Sequence, residues 1–119
     1  MTTSTPPVSS GACTFDAIFF EFDDSSLSAE ARAIVDRNAE CLRKTAGGSV
    51  MVEGHADRRG TEEYNLALSE RRARSVEERL RVLGLERGRL QVVGKGKLEA
   101  SGANDSGYAK DRRVELKWR

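Results

Sequence analysis

Residues 49–84 read SVMVEGHADRRGTEEYNLALSERRARSVEERLRVLG, and a change of period inside this stretch decides the fold. The first seven, SVMVEGH, lack clean polar alternation, as expected of a strand covered on both faces or nearly so. A charged loop, ADRRG, occupies 56–60. From about Thr61 the period becomes helical, with Ala73, Val76, Leu80 and Leu83 three or four residues apart, and Gly84 is the natural C′ residue that ends the helix.

Upstream of this unit, residues 14–22 (TFDAIFFEF) form an aromatic-rich run with strand propensity. Asp23, Asp24, Ser25 and Ser26 supply turn chemistry. Ser28 then stands as an N-cap, with Glu30 in the first turn where negative charge suits the helix dipole. The first helix runs to about Thr45, with Leu27, Ala31, Ile34, Val35, Cys41 and Leu42 at helical spacing, and Ala46-Gly47-Gly48 stops it. Downstream, residues 90–93 read as a third strand, 94–107 as a Gly-rich loop and 113–118 as a last strand with VELKW alternation. The order is β-α-β-α-β-loop-β, and strands joined through helices favour parallel pairing and right-handed crossovers. The expected architecture is an α/β (α+β) sandwich with one small sheet and two helices on one face. Residues 1–13 form a flexible leader and residues 14–119 the domain.

The chain of 119 residues is one domain's worth of sequence, long enough to build a core without metal or disulfide staples. Lys and Arg number 20 against 19 Asp and Glu, so the net charge of +1 argues against bulk attraction to nucleic acid. No apolar run approaches the length of about 20 residues that a membrane span needs, and the first eleven residues cannot form the apolar region of an export signal. Two cysteines, Cys13 and Cys41, are compatible with two separate buried thiols or with one disulfide, and their count does not choose. With one histidine in the chain, a structural zinc site of the usual kind would need help from carboxylates.

The densest constellation of reactive side chains is 53–61, EGHADRRGT, followed by Asn65, Leu68 and Arg72. Gly54 and Gly60 permit close approach or positive φ where a strand empties into a loop. Asp57 projects from that mouth. Arg72, fifteen residues on, can fold back toward it from the following helix. An acid beside a guanidinium complements a zwitterion, because arginine can grip a carboxylate with two parallel hydrogen bonds. By spacing alone, however, the commoner fate of such a pair is a surface ion pair worth about 0–1 kcal/mol.

The stretch EGHADRRGTEEYNLALSERRARSV, the FFEFDDSSL opening and the closing DRRVEL together resemble the OmpA C-terminal domain family, most closely its branch of peptidoglycan-associated lipoproteins. The resemblance covers about residues 15–116. It implies the OmpA-like βαβαβ fold with a mixed sheet, and non-catalytic binding of peptidoglycan through the meso-diaminopimelate of its stem peptide. Carried over by position, Asp57 would take the ligand's ammonium and Arg72 its carboxylate. Phe22 and Asp23 match the loop bordering the pocket, while Arg59, Thr61, Asn65 and Leu68 match positions that line or brace it. Arg112 and Arg113 match a closing arginine pair with a mainly structural role. The resemblance implies no cofactor and no metal. It implies a periplasmic address, with outer-membrane association in the full-length protein, a monomer, and a Tol-type periplasmic protein as a candidate partner. That address favours a Cys13–Cys41 disulfide. Although SGAC at 10–13 has the look of a lipobox end, Cys13 lies directly before the first strand and reads as structural.

Three departures from the family pattern stand out: Ala56 where Thr is usual, Arg58 where Glu is usual, and Asp111 where Asn is usual. The second turns the pocket rim from acidic to basic. Other functions compete less well. A metal hydrolase could draw on Glu53, His55 and Asp57, which alternate along a strand, but no second histidine and no nucleophile beside a base accompany them. A nucleic-acid module could use Arg71, Arg72, Arg74, Arg79 and Arg81, yet Glu70, Glu77 and Glu78 are interleaved as in a solvated helix face. A wall-anchoring domain of a flagellar stator or another envelope machine would share the same pocket.

Overall fold

A computed structural model describes residues 13–45 and 47–119 of the chain, with eight elements where the sequence signals place six. The expected leader lies outside the described residues except for Cys13, as does Ala46 in the helix stop. Strand β1 (Ile18–Phe19) leads to α1 (Ala29–Lys44), β2 (Val50–Gly54) and α2 (Glu62–Val82). A 3-10 turn at Arg87–Arg89 precedes β3 (Leu90–Gly94), and α3 (Asp105–Asp111) precedes β4 (Arg113–Trp118).

Both long helices start as their sequences require. The Ser28 hydroxyl accepts from the Ala31 N–H and the Thr61 hydroxyl from the Tyr64 N–H, each satisfying a donor that the first turn cannot. At the other end of α2, Gly84 takes φ 103°. The C-terminal end of α1 is capped from a distance. Arg89 donates to the carbonyls of Leu42, Gly47 and Gly48, tying the entry of β3 to the exit of α1.

The sheet order is β1-β4-β2-β3. Strands β2 and β3 pair in parallel, as two strands joined by a helix should, but β4 inserts antiparallel between β1 and β2. The sheet is therefore mixed. Alternation along β2 and β4 sorts their residues onto two faces. Val50, Val52, Val114 and Leu116 face the core with Ile18, where they meet Val35, Ala39 and Leu42 of α1 and Ala73, Val76 and Leu80 of α2. The opposite row pairs Met51 with Lys117 and Glu53 with Glu115. Gly54 lets α2 lie close against this sheet, because a Cβ there would collide with the Ser69 carbonyl.

Two expectations need correction. The strand expected over 14–22 shrinks to two residues, because neighbouring backbone groups find other partners. Asp16 exchanges both its N–H and its C=O with the Asn38 side chain of α1, at 3.2 and 3.1 Å. Beyond Phe20 the chain turns, with Asp23 at φ 57°. The loop expected over 94–107 also holds the start of a short helix, α3, capped by Asn104, whose side chain accepts from the Gly107 N–H. Gly102 before it and Gly107 within it disguise it, yet they are what lets it pack, since a Cβ on Gly102 would strike the Gly107 backbone. Asp111, the residue that departs from Asn, is buried and accepts from the N–H groups of Ser101 and Gly102.

Cys13 and Cys41 form a disulfide. It closes a sequence separation of 28 residues, for which the loop-entropy account gives about 3–4 kcal/mol of stabilisation. Among the described residues, no helix is long and apolar enough to cross a membrane.

Candidate functional site

Because β1 and β2 both run antiparallel to β4, they end on the same side of the sheet, and the loops leaving them meet over the first turns of α2. Between them lies a cavity of about 330 Å³ lined by Phe22, Asp23, Asp57, Arg59, Gly60, Tyr64, Asn65, Leu68 and Arg72. Of the residues singled out in the sequence, only Thr61 is absent from this lining. It caps α2 instead.

Arg72 holds the site together. Its side chain is fully buried, and its Nε, Nη1 and Nη2 donate to the carbonyls of Asp24 (2.9 Å), His55 (3.0 Å) and Glu21 (3.0 Å). One guanidinium thus ties both loops to α2, with the Phe20 ring 5.4 Å from its carbon. Burial, with the nearby charge of Arg112, pushes the Arg72 pKa down to about 10, and it remains a cation at neutral pH.

Asp57 is 5% exposed and is gripped from the side. The sequence pointed to Arg72 as its companion, but its direct partner is Arg59, which donates from Nε to Oδ1 (3.1 Å) and from Nη2 to Oδ2 (2.8 Å). The Arg59 backbone N–H adds a third bond to Oδ1, and Arg112 Nη1 stands 3.8 Å from Oδ2. Burial alone would raise the Asp57 pKa; the Arg59 hydrogen bonds and the charges of Arg59 and Arg112 outweigh it and hold the carboxyl below its usual value. It is a carboxylate across the physiological range. Arg59 is itself sandwiched between Phe22 and Tyr108, 4.4 and 4.2 Å from the ring centres, as a planar guanidinium can be.

The loop backbone is braced in turn. Asn65 Nδ2 donates to the Arg59 carbonyl (2.8 Å), Lys97 Nζ to that of Gly60 (2.8 Å), and Gly60 adopts φ 95°. Arg112 Nε bonds the Phe20 carbonyl, and Arg113 engages Glu115 and the Asp111 carbonyl. Both arginines thus have the structural part expected of them, and Arg112 also adds charge beside Asp57. Ala56 is buried, whereas Arg58 stands exposed on the rim.

Sequence reasoning missed Tyr64 and Tyr108. Tyr64 had a signal, since Tyr64, Leu68 and Arg72 recur every four residues and share one face of α2. Tyr108 had none, because it reaches Arg59 from the region expected to be loop.

The metal alternative is also rearranged. Glu53 and His55 do approach each other, but Asp57 lies in the cavity, and the third group beside them is Glu115 of β4. Burial and the charge of Arg113 lower the His55 pKa below 6.5.

Residues 19–114 match the OmpA family. The peptidoglycan-associated lipoprotein of Pseudomonas aeruginosa is 45% identical over 101 residues, covering 83% of this chain and 60% of that protein, so this chain spans well under two thirds of its relative. Among solved structures, the peptidoglycan-associated lipoprotein from Burkholderia pseudomallei superposes with a TM-score of 0.81 at 31% identity, covering 87% of this chain and 89% of that one. The cell wall anchor of the type VI secretion system from Pseudomonas aeruginosa gives 0.70 at 35% identity, covering 82% and 72%. On sequence and on structure, this chain belongs to the OmpA family.

Proposed function

We propose that this chain is a non-catalytic peptidoglycan-binding module of the cell envelope, and that its cavity takes the diaminopimelate of the stem peptide. One observation carries the reading: a carboxylate and a guanidinium, both almost fully buried, face the same small cavity. Asp57 is held as an anion with its ring of donors on one side, and it receives the ligand's side-chain ammonium on the other. Three nitrogens of Arg72 each give one N–H to a loop carbonyl, and of its five donors two are left for the neighbouring carboxylate. Phe22, Tyr64 and Leu68 flank the aliphatic stem, Asp23 and Asn65 give the polar edge, Arg59 orients Asp57, and Thr61 fixes the turn from which Tyr64 and Asn65 project. The names of the relatives, peptidoglycan-associated lipoproteins, support the same class of ligand.

In the full-length protein the module sits in the periplasm, associated with the outer membrane, and tethers that membrane to the wall as a monomer, with a Tol-type protein as a second partner. The likeness to a cell wall anchor of a secretion system favours one further reading, in which the same pocket fastens an envelope machine.

Calorimetric titration with a soluble muropeptide tests the assignment. A peptide bearing meso-diaminopimelate binds, and the same peptide with lysine, which lacks the side-chain carboxylate, binds far more weakly. Asp57→Ala removes a charge-assisted bond worth about 1.5–3 kcal/mol and lowers affinity roughly tenfold to a hundredfold. Equal binding of the two peptides, or unchanged affinity in Asp57→Ala, contradicts the proposal.

A further inference from the structure

Two residues before Asp57, β2 leads into a second polar cluster that the wall-binding reading leaves without a task. His55 is 1% exposed, and neither of its ring nitrogens has a hydrogen-bond partner. The Glu53 side chain is 4% exposed, and its Oε1 likewise accepts no hydrogen bond. Glu115 stands directly opposite Glu53 in the β2–β4 ladder. One donor atom from each of Glu53, His55 and Glu115 lies within 4.8 Å of the other two, and His55 Nε2 is 3.6 Å from Glu53 Oε1. Buried polar atoms are ordinarily paired, and an imidazole nitrogen left without a partner beside two carboxylates marks a place where a ligand would satisfy it.

We propose that Glu53, His55 and Glu115 form a binding site for a divalent transition metal, Zn²⁺ best of all, on the face of the sheet opposite the two long helices. One imidazole and two carboxylates make a three-ligand zinc set with a position left for water. The nitrogen donor and the small ligand number disfavour Mg²⁺ and Ca²⁺, which seek six or more oxygens. The site has a resident rival. Lys117 Nζ stands 3.1 Å from Glu53 Oε1 and 3.5 Å from Glu115 Oε1, so an incoming ion must displace this ammonium. The displacement is sterically open, since the Lys117 side chain is 45% exposed on a flexible stem. Arg113, by contrast, bonds Glu115 Oε2 at 2.5 Å and orients the carboxylate so that its other oxygen stays with the cluster. Lys117 thus serves as the counter-charge that an entering ion displaces.

His55 is the chain's single histidine, which makes the test direct. In the whole chain, one equivalent of Zn²⁺ shifts the ¹⁵N resonance of one His55 ring nitrogen into the range of metal-bound imidazole, while Mg²⁺ leaves it unmoved. Lys117→Met tightens Zn²⁺ binding about tenfold by removing the competitor, and Glu115→Gln weakens it at least tenfold. Both positions are partly exposed, so these variants keep the test open should a His55 substitution fail to fold. If Zn²⁺ leaves the His55 resonances in place, or if Glu115→Gln and Lys117→Met both bind it as the parent does, the proposal is overturned.

Discussion

Strand β2 delivers two buried polar clusters only a few residues apart, and they are built on opposite plans. At the cavity, Asp57 and Arg72 have their buried polar atoms engaged: the carboxylate by Arg59 and the guanidinium by three carbonyls from two loops. Across the sheet, both ring nitrogens of His55 lack a hydrogen bond, and Glu53 Oε1 has only the exposed Lys117 ammonium beside it. The first arrangement is preorganised, since its charges already sit in place before any ligand arrives, and it contributes to folding as well as to binding. Burial by itself therefore does not distinguish a brace from a candidate ligand set; the satisfaction of the polar atoms does.

The sharpest way to break this comparison is at Arg72. Arg72→Ala orphans three carbonyls and releases both loops from α2, and it should cost about 3–5 kcal/mol in urea unfolding together with all muropeptide binding. A loss below about 1 kcal/mol would show that the loops are held by other means.

Acid titration sharpens the contrast at Asp57. Its pKa is lower in the folded chain than the ordinary 3.8, so its share of stability is complete above that value and drains away as the pH falls through the folded pKa. The difference between the stability curves of the parent and Asp57→Asn should therefore be flat above about pH 4 and shrink below it, at no more than about 1.4 kcal/mol per pH unit. A difference that changes instead near pH 6 would assign the effect to another group.

The smallest effect belongs to His55. With a chelator present, His55→Phe replaces unpaired ring nitrogens by carbon in a ring of similar shape, and stability should change by less than about 1 kcal/mol in either direction. A loss as large as that of Arg72→Ala would mean that His55 is a brace of the same kind.

Much of this was legible from short-range chemistry. The caps Ser28 and Thr61, the stop at Gly84, the two-sided burial of β2 and the convergence of Asp57 with Arg72 on one opening all follow from local residue types and period. What was not legible depends on distant segments. Nothing local in VELKW says that β4 would slip between β1 and β2, yet that insertion sets Glu115 opposite Glu53 and Arg112 near Asp57. The choice of Arg59 over Arg72 as the partner of Asp57 was hidden for another reason. It depends on a loop turning back on itself and on Tyr108 arriving from α3 to hold the guanidinium in place.

The Cys13–Cys41 bridge acquires a different meaning under the proposed role of a tether. Tension applied at Cys13 and resisted by a ligand held at Asp57 and Arg72 enters the fold through Cys41 of α1 as well as along the chain, because the two sulfurs join these positions. Residues 14–40 lie inside the covalent loop that the bridge closes. The two-residue strand β1 and the loop bearing Phe22, Asp23 and Asp24 are thereby relieved of carrying the whole pull toward the cavity they border.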